Sequence, residues 1–340
     1  MQQNVALAPL TTLQVGGPAR YFVEAHSESE VCAAVEGAHS RGWPLFVLGG
    51  GSNLVLSDSG WPGLVLKIAL TGITQQREGG RTVFEAGAGE DWDELVVKTV
   101  AANCAGIECM SGIPGTVGGT PVQNVGAYGQ EVSDTISCVR ALDLTTGQVC
   151  QFDSAECGFS YRASIFNREP GRYIVLRVSF ALVTGGAPHV EYADLKRYFA
   201  GRPKPTLSET REAVRAIRLS KAMLIVPGDD DCRSAGSFFK NPVLSRERFQ
   251  QLAERVPAIP NWPANDEMVK VAAAWLVEHA GFSKGFTRGP VGISRKHALA
   301  IVNRGGATAA DIVALKNEIQ ARVLEKFEIE LQPEPVFVGF

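Results

Sequence analysis

A glycine-rich segment in the first half of the chain is the first candidate for chemistry. Residues 111–134 read S-G-I-P-G-T-V-G-G-T-P-V-Q-N-V-G-A-Y-G-Q-E-V-S-D. Glycine removes the Cβ barrier to positive φ and to close backbone approach, so consecutive N–H groups can turn toward one bound anion. The segment is therefore suited to gripping a diphosphate, although a plain run of turns is the alternative interpretation.

A second loop, Gly49-Gly50-Gly51-Ser52-Asn53, follows the apolar run Leu45–Leu48. It offers backbone donors at a strand end, and its serine and asparagine add side-chain donors. The diphosphate of a dinucleotide could lie between this loop and residues 111–119. A Rossmann site needs G-x-G-x-x-G opening a helix, but β-like residues 54–57 follow here, so that interpretation fails.

The order of residues in 111–134 closely resembles the central FAD-binding loop of the UDP-N-acetylenolpyruvoylglucosamine reductases, a family of bacterial cell-wall precursor enzymes. Residues 161–166 match the family signature Y-R-x-S-x-F, and residues 236–242 match G-S-F-F-K-N-P. The tail, L-Q-P-E-P-V at 331–336, fits the family's glutamate-bearing tail. The resemblance spans nearly the whole chain in the expected order.

The resemblance implies an α+β chain with a two-subdomain FAD-binding fold of the vanillyl-alcohol oxidase (PCMH) type, followed by a C-terminal α+β substrate-binding domain. We expect the FAD to be noncovalent, with NADPH as the hydride donor. The cofactor contacts that the resemblance implies are Gly49, Gly50, Gly51, Ser52, Asn53, Ser111, Pro114, Gly115, Gly118, Gly119, Asn124, Gly126 and Ala127.

Three residues receive catalytic roles from the resemblance: Arg162, Ser237 and Glu334. Arg162 would grip an enolpyruvyl carboxylate with two parallel hydrogen bonds and activate the acceptor electrostatically. Ser237 would be the proton donor, and Glu334, with Arg162, would stabilise the enolic intermediate. Each also has a plain alternative: a surface cation, a turn serine that caps a strand, and a solvated glutamate at a strand edge.

Four further residues are expected to hold the substrate: Tyr161, Tyr192, Lys221 and Asn241. The stretch 184–205 has the length of a lid, and the resemblance implies that Tyr192 is carried on it. Asn241 would contact the nucleotide sugar. A half-buried aromatic and a solvated basic face are the alternatives for Tyr192 and Lys221.

Capping boxes and periodicity predict the elements that position these residues. Helices are predicted at 31–39 behind a Ser27–Glu30 capping box, at 91–104, and at 207–217 behind a Thr206–Glu209 box. Two more are predicted at 266–280, capped by Asn265, and at about 309–326, capped by Thr308. Strands are predicted at 45–48, 54–57, 82–87, 138–144, 148–152 and 173–183, with a hairpin turn at 145–147. We expect FAD subdomain 1 over 1–70, FAD subdomain 2 with the lid over 71–200, and the C-terminal domain over 201–340.

Composition favours small-molecule partners. The chain has 340 residues, 33 basic against 36 acidic, a net charge of −3, and no basic run typical of a nucleic-acid surface. It shows neither a secretory leader nor about 18 uninterrupted apolar residues, so we expect a cytoplasmic protein without a membrane segment. We also expect a monomer. Its 7 cysteines include no C-x-x-C pair, which favours reduced thiols and no metal site.

The implied reaction is the NADPH-dependent reduction of the enolpyruvyl ether of UDP-N-acetylglucosamine through the flavin, giving UDP-N-acetylmuramate for peptidoglycan. Two alternatives remain at this stage. One is a flavin oxidase of the same fold, and the other is a UDP-sugar binding module without turnover.

Overall fold

The computed structural model describes residues 1–340, which divide into two compact units. The first unit comprises Met1–Val5, Ala19–Gly51 and Trp61–Leu224. The second comprises Ala6–Pro18, Ser52–Gly60 and Ile225–Phe340. The second unit is thus assembled from three separate stretches of chain.

The first sheet of the first unit is four-stranded, in the order β1-β2-β5-β3, with β2 and β3 both parallel to β5. Its strands are β1 (Gln2–Ala6), β2 (Pro18–Ala25), β3 (Leu45–Leu48) and β5 (Trp61–Ile68). Helix α1 (Glu28–Ser40) joins β2 to β3. Its predicted cap is confirmed, because Ser27 Oγ accepts from the N–H of Glu30 and the Glu30 carboxylate accepts from the N–H of His26.

The second sheet of the first unit has six strands, in the order β12-β11-β13-β7-β6, with β8 also pairing with β13. The strands are β6 (Ile73–Glu78), β7 (Arg81–Gly87), β8 (Cys104–Ala105), β11 (Ile136–Asp143), β12 (Gln148–Phe152) and β13 (Tyr173–Thr184). The predicted strands and hairpin are confirmed. Helix α2 (Trp92–Ala101), predicted over 91–104, is capped by Asp91 and ends before Asn103, whose φ of 55° is left-handed.

The rest of the first unit is a two-strand hairpin and three helices. These are β9 (Gly126–Ala127), β10 (Gln130–Glu131), α3 (Ile165–Arg168), α4 (Ala193–Tyr198) and α5 (Leu207–Ser220). The sequence boundary at residue 201 would place α5 in the C-terminal domain, whereas the structure places it in the first unit. The physical reason is burial, since Ala213 and Val214 of α5 pack with Leu195 and Cys109.

The second unit contains three small sheets and three helices. Its strands are β4 (Leu54–Leu56), β14 (Val243–Ser245), β15 (Asn261–Pro263), β16 (Met268–Val271), β17 (Thr287–Arg288), β18 (Val291–Ile293), β19 (Ile301–Asn303) and β20 (Val336–Val338). They pair as β14-β16-β15, β17-β18-β19 and β20-β4. The helices are α6 (Arg246–Arg255), α7 (Ala273–His279) and α8 (Ala309–Phe327).

The predicted helix over 266–280 was wrong in its first half. Residues 268–271 form β16, whose side chains alternate between partly exposed and buried and which pairs on both sides. The Asn265 side chain does not cap a helix but accepts from the N–H groups of Glu267 and Met268 in a tight turn. Only α7 is helical, so an asparagine turn imitated a helix start in the sequence.

Helix α8 is the main packing element of the second unit. Five of its apolar residues recur at helical spacing and are buried in that unit's core: Ile312, Leu315, Ile319, Val323 and Phe327. Its predicted Thr308 cap is confirmed, with a reciprocal bond to Asp311. None of the helices in the structure combines the length and apolar character that crossing a bilayer requires.

A carboxylate from the 52–60 stretch completes the α8 N-terminus. Asp58 Oδ1 and Oδ2 accept from the N–H groups of Ala309 and Ala310 at 2.7 and 2.9 Å. An anion at this end also interacts favourably with the helix dipole. This pair of bonds ties an early segment of the chain to the C-terminal helix.

We expect Asp58→Ala to lower the free energy of unfolding of the second unit by about 0.5–2 kcal/mol, because two helix N–H groups lose their acceptor. Urea unfolding followed by circular dichroism measures this loss. The control is Asp266→Ala, at an exposed aspartate of the same unit. Equal stability of the two variants would contradict the capping role.

Candidate functional site

The two glycine-rich loops meet within the first unit. A Cβ added at Gly50 would lie 2.5 Å from the Cα of Gly115, and one added at Gly49 would lie 3.1 Å from Thr116 Oγ1. No side chain fits at Gly50 without moving the backbone. Gly50 and Gly115 therefore bring together the backbones of the two loops that were expected to lie on either side of a diphosphate.

Only the tip of the 111–119 loop can offer backbone donors to a ligand. The N–H groups of Val117, Gly118 and Gly119 are used internally, donating to Glu90, Ala88 and Thr116. Gly118 is glycine because a Cβ there would lie 2.6 Å from that of Ala88. We expected a run of N–H donors along the loop. In the structure, the N–H groups that keep no backbone acceptor at its tip are those of Gly115 and Thr116, next to Pro114.

Thr116 carries the clearest sign of a missing ligand. Its Oγ1 is buried and has no hydrogen-bond partner in the protein. A buried hydroxyl without a partner costs free energy, so such an atom at the meeting point of two glycine loops fits a site built for a polar group. The sequence interpretation missed Thr116, because a threonine among glycines is a common turn residue and gives no sign of ligand binding.

The entry to the loop is clamped at Gly112. Asp93 accepts from the Gly112 N–H at 2.6 Å, and the Arg218 Nε donates to the Gly112 carbonyl at 3.2 Å. Asp93 also binds Arg211 through two bonds and Arg215 through one. Burial alone would raise the pKa of Asp93, but the Arg211 and Gly112 bonds and the charge of Arg215 outweigh it and lower that pKa.

The far end of the loop is held by Arg162. Its Nη1 and Nη2 donate to the carbonyls of Asn124 and Gly126 at 3.2 and 2.9 Å. The Asn124 side chain, 1% exposed, bonds Glu131, Ser160 and the Ser133 N–H. Asn124 and Arg162 both have left-handed φ angles of 46° and 54°, a costly conformation that tends to occur at functional sites.

The signature 161–166 divides into structural and accessible residues. Ser164 Oγ donates to the Val122 carbonyl at 2.7 Å and Phe166 lies in the core. Tyr161 is 38% exposed, and the Arg162 guanidinium lies 5.4 Å from its ring centroid. The motif therefore anchors the cofactor-loop candidate and presents an arginine and a tyrosine beside it.

The loop ends in the β9–β10 hairpin, which includes Gly126 and Ala127. Tyr128 and Gly129 form its turn with φ of 51° and 88°, as a two-residue type I′ turn requires. The ring of Tyr128 packs edge-on against Tyr192, 5.5 Å between centroids, and lies 5.9 Å from Lys221 Nζ. Burial raises the pKa of Tyr128 to about 12. Tyr192 and Lys221, assigned to one role from sequence, thus lie at one place.

A buried carboxylate that the sequence interpretation missed joins the loop to the lid stretch. Glu108 is 1% exposed and accepts from the N–H groups of Gly106 and His189 and from the Gln130 side chain. Ser111 is also fully buried, and its hydroxyl donates to the Glu108 carbonyl. His189 begins the segment that leads to Tyr192, so this network fixes where that segment leaves the loop.

In the second unit, the serine motif lies beside the tail. Phe239 and Pro333 form an antiparallel bridge, and the Glu334 N–H donates to the Phe238 carbonyl at 2.9 Å. Ser237, directly before Phe238, is therefore brought near Glu334, although the two are far apart in sequence. Both residues are half-buried.

Asn53 secures the same tail from the other side. Its Nδ2 donates to the Glu334 carbonyl at 3.2 Å, and its own carbonyl accepts from the Val336 N–H. Ser52, before it, accepts from Thr12 through its carbonyl. The two polar residues of the first glycine loop therefore belong to the second unit and bind its chain, in addition to any ligand role.

Asn241 and His279 have structural partners. Asn241 Oδ1 accepts from the Ala273 N–H at the start of α7, which leaves its Nδ2 as the donor for a ligand. His279 is exposed and stacks on Trp275 with centroids 3.5 Å apart, one helical turn away. Its Nδ1 lies 2.8 Å from the Trp275 carbonyl.

Comparison with known proteins identifies both parts of the chain. Residues 19–153 match the FAD binding domain, and residues 227–338 match the C-terminal domain of UDP-N-acetylenolpyruvoylglucosamine reductase. The reductase of that name from Streptomyces avermitilis is 47% identical over 99% of this chain and 94% of its own length. The one from Thermobifida fusca is 44% identical over 99% of this chain and 98% of its own length.

The crystal structure of UDP-N-acetylenolpyruvylglucosamine reductase from Thermus caldophilus superimposes with a TM-score of 0.68 at 27% identity, covering 99% of this chain and 98% of that one. The expected fold class is confirmed: a two-subdomain FAD-binding fold followed by a C-terminal α+β domain. The Gly50–Gly115 approach and the unpartnered Thr116 hydroxyl fit such a cofactor.

We expect Asp93→Asn to destabilise the first unit by roughly 1–3 kcal/mol at pH 7, because charge-assisted bonds to two arginines are lost. The pKa of Asp93 is lower in the folded chain than in the unfolded one, so its contribution is complete above about pH 4 and disappears as pH falls further. Urea unfolding of both proteins at several pH values measures it. A stability difference that stays constant down to pH 2.5 would show that ionisation of Asp93 plays no part.

We expect Thr116→Val to weaken FAD binding about five- to tenfold, because the variant keeps the shape but removes a hydroxyl with no protein partner. FAD titration of the apoprotein, followed by flavin fluorescence, measures the affinity. Thr120→Val is the matched control in the same loop, since the Thr120 hydroxyl already donates to Val117 at 2.8 Å. Its loss should cost stability rather than affinity, and equal FAD affinity of the wild type and Thr116→Val would exclude the hydroxyl as a ligand.

Proposed function

Because the chain belongs to the UDP-N-acetylenolpyruvoylglucosamine reductase family, we infer that it is the FAD-containing oxidoreductase that makes UDP-N-acetylmuramate for peptidoglycan. Its substrate is the enolpyruvyl ether of UDP-N-acetylglucosamine, and NADPH is the hydride donor. The observation that carries the residue-level proposal is the bridge that sets the Ser237 segment against Glu334.

FAD is held, in this proposal, by the backbones of Gly49–Gly51 and of Gly115 and Thr116, with the Thr116 hydroxyl completing the set. Bound there, FAD would supply the hydride-transfer chemistry that links NADPH to C3 of the enolpyruvyl group. Residues 111–134 contain no histidine or cysteine that could form a bond to the flavin, so we propose noncovalent binding.

Arg162 and Glu334 are assigned to stabilising the enolic intermediate of the substrate. The Arg162 guanidinium is held beside the loop by two bonds to loop carbonyls, and a guanidinium can pair with a carboxylate through two parallel hydrogen bonds. The main chain of Glu334 is fixed on both sides, by the Asn53 side chain and by the Phe238 carbonyl. Preorganised polar groups of this kind lower the barrier because they need not rearrange during the reaction.

Ser237 supplies the proton that completes the reaction at C2. Hydride at C3 and a proton at C2 together saturate the double bond and give the lactyl ether. A serine hydroxyl is a poor acid and can protonate only a strongly basic partner, as carbon at C2 is after C3 has been reduced. Gly236, with φ of 73°, makes the turn that presents Ser237 ahead of the buried Phe238 and Phe239.

We propose that four residues bind the substrate: Tyr161, Tyr192, Lys221 and Asn241. Tyr192 and Lys221 lie at the Tyr128 ring, and the free Nδ2 of Asn241 serves the nucleotide sugar. We further propose that the enzyme is a monomer that works in the cytoplasm, where UDP-linked precursors are made. Analytical ultracentrifugation tests the monomer.

We expect Ser237→Ala to be reduced by NADPH at a near-normal rate, because that half-reaction needs no acid. Its reoxidation by the enolpyruvyl substrate should slow by more than the roughly 10²- to 10⁴-fold usual for a positioned general acid, since the site to be protonated is so basic. Rapid-mixing absorbance at the flavin bands measures each half-reaction separately.

Ser237→Cys serves as the conservative variant in the same experiment and should retain part of the second half-reaction, since a thiol is a stronger acid of similar size. A Ser237→Ala enzyme that fails at flavin reduction, or that reoxidises at the wild-type rate, would remove Ser237 from this role.

A further inference from the structure

The carboxylate of Asp194 binds Lys221, the lysine proposed to bind the substrate. Lys221 Nζ donates to Asp194 Oδ2 at 2.6 Å, with the Asp194 side chain 21% exposed and the Lys221 side chain 39% exposed. Arg197 lies 3.7 Å from the other oxygen of Asp194 and is itself 81% exposed. Asp194 was not singled out in the sequence, because an acid in a polar stretch between helices carries no local signal.

The backbone around the pair is fixed from both sides. Asp194 lies in the first turn of α4, two residues after Tyr192, which is the N-cap residue of that helix, and the next residue, Leu195, is fully buried. Lys221 is the C-cap residue of α5, and that helix end is closed by the bond from the Met223 N–H to the Arg218 carbonyl. The ion pair therefore joins the helix that begins just after the expected lid tyrosine to the end of α5.

The pair also sets where the ammonium points. Lys221 Nζ lies 5.9 Å from the centroid of the Tyr128 ring, and the Tyr192 ring packs on the same Tyr128. Asp194 uses one of the three ammonium donors, so two remain for another acceptor. Lysine otherwise has a long and flexible stem whose ordering costs about 2 kcal/mol of rotamer entropy.

Fold stability does not explain this arrangement. Ion pairs as exposed as this one contribute about 0–1 kcal/mol to folding. A charged group held in its working place before the ligand arrives, in contrast, avoids the cost of ordering it on binding. The negative charge of Asp194 is partly offset by Arg197, so the pair aims the lysine without leaving an uncompensated anion beside it.

We propose that Asp194 is a positioning residue for substrate binding: it orders Lys221 beside the Tyr128–Tyr192 pair so that the ammonium meets an anionic group of the substrate. This inference rests on the proposed function and adds to it a residue that acts through Lys221. Asp194 itself does not contact the reacting atoms.

A double-mutant cycle tests the inference with wild type, Asp194→Asn, Lys221→Met and the double variant. We expect Asp194→Asn to raise the KM for the enolpyruvyl substrate about fivefold while kcat changes less than about twofold. In the Lys221→Met background the same substitution should change KM by less than about twofold, because its target is gone. Additive effects of the two substitutions would overturn the inference, since a structural role of Asp194 does not depend on Lys221.

Lys196→Ala is the matched control. Lys196 lies on the same helix and pairs with Glu191 at 2.7 Å, but it is 59% exposed and does not contact Lys221. Its removal should leave KM unchanged. A rise in KM equal to that of Asp194→Asn would show that any charge change on α4 has this effect, and would also overturn the inference.

A second readout separates this inference from the proposed function. Calorimetric Kd values for UDP-N-acetylglucosamine, measured on the same four proteins, report the coupling without turnover. Coupling in Kd together with a wild type that does not reduce the enolpyruvyl substrate supports the positioning role and refutes the reductase function. Normal turnover with no coupling in either KM or Kd refutes only the positioning role, and a wild type that neither binds nor reacts refutes both.

Discussion

The approach of Gly50 to Gly115 is the constraint on which the cofactor-binding part of the structure depends. Two backbones that come this close exclude every side chain at the contact, and they leave peptide N–H groups as the available donors. The surrounding residues hold one of these backbones from outside the contact. Asp93 and Arg218 fix Gly112 before it, and Arg162 fixes Asn124 and Gly126 after it.

The polar groups of this unit are therefore arranged in two layers. Carboxylates and guanidinium groups bind peptide groups of the loop, and the loop in turn presents its tip and one buried hydroxyl. Glu108 has the same function at the lid stretch, where it binds two N–H groups of the main chain. Buried charges satisfied in this way make a loop rigid without consuming the donors that a ligand needs.

The sequence was most informative where chemistry is local. Caps at Ser27, Thr206 and Thr308 predicted helix starts correctly, because a side chain bonds an N–H only a few residues away. The glycine pattern and the short motifs led to the cofactor and the family. The same local reasoning failed at Asn265, where an asparagine turn and a helix cap share one pattern, and it stopped α2 too late.

The residues that the sequence did not reveal all act over long separations. Asp93, Glu108 and Asp194 bind partners that lie far along the chain, and Thr116 is notable only because it lacks one. The place of α5 in the first unit is likewise set by a long-range contact, the burial of Ala213 and Val214 against Leu195.

The pairing of β4 with β20 has a consequence for how this chain is made. Strand β4 is synthesised early, whereas its partner β20 comprises residues 336–338. Asn53, just before β4, likewise donates to the carbonyl of Glu334, which lies 281 positions further along the chain. Contacts of such separation form late, after the cost of closing a very long loop has been met. During vectorial synthesis β4 lacks its partner strand until residues 336–338 have been made. The same terminal segment carries Glu334, so a prematurely terminated chain lacks both the strand that completes the second unit and the carboxylate beside Ser237.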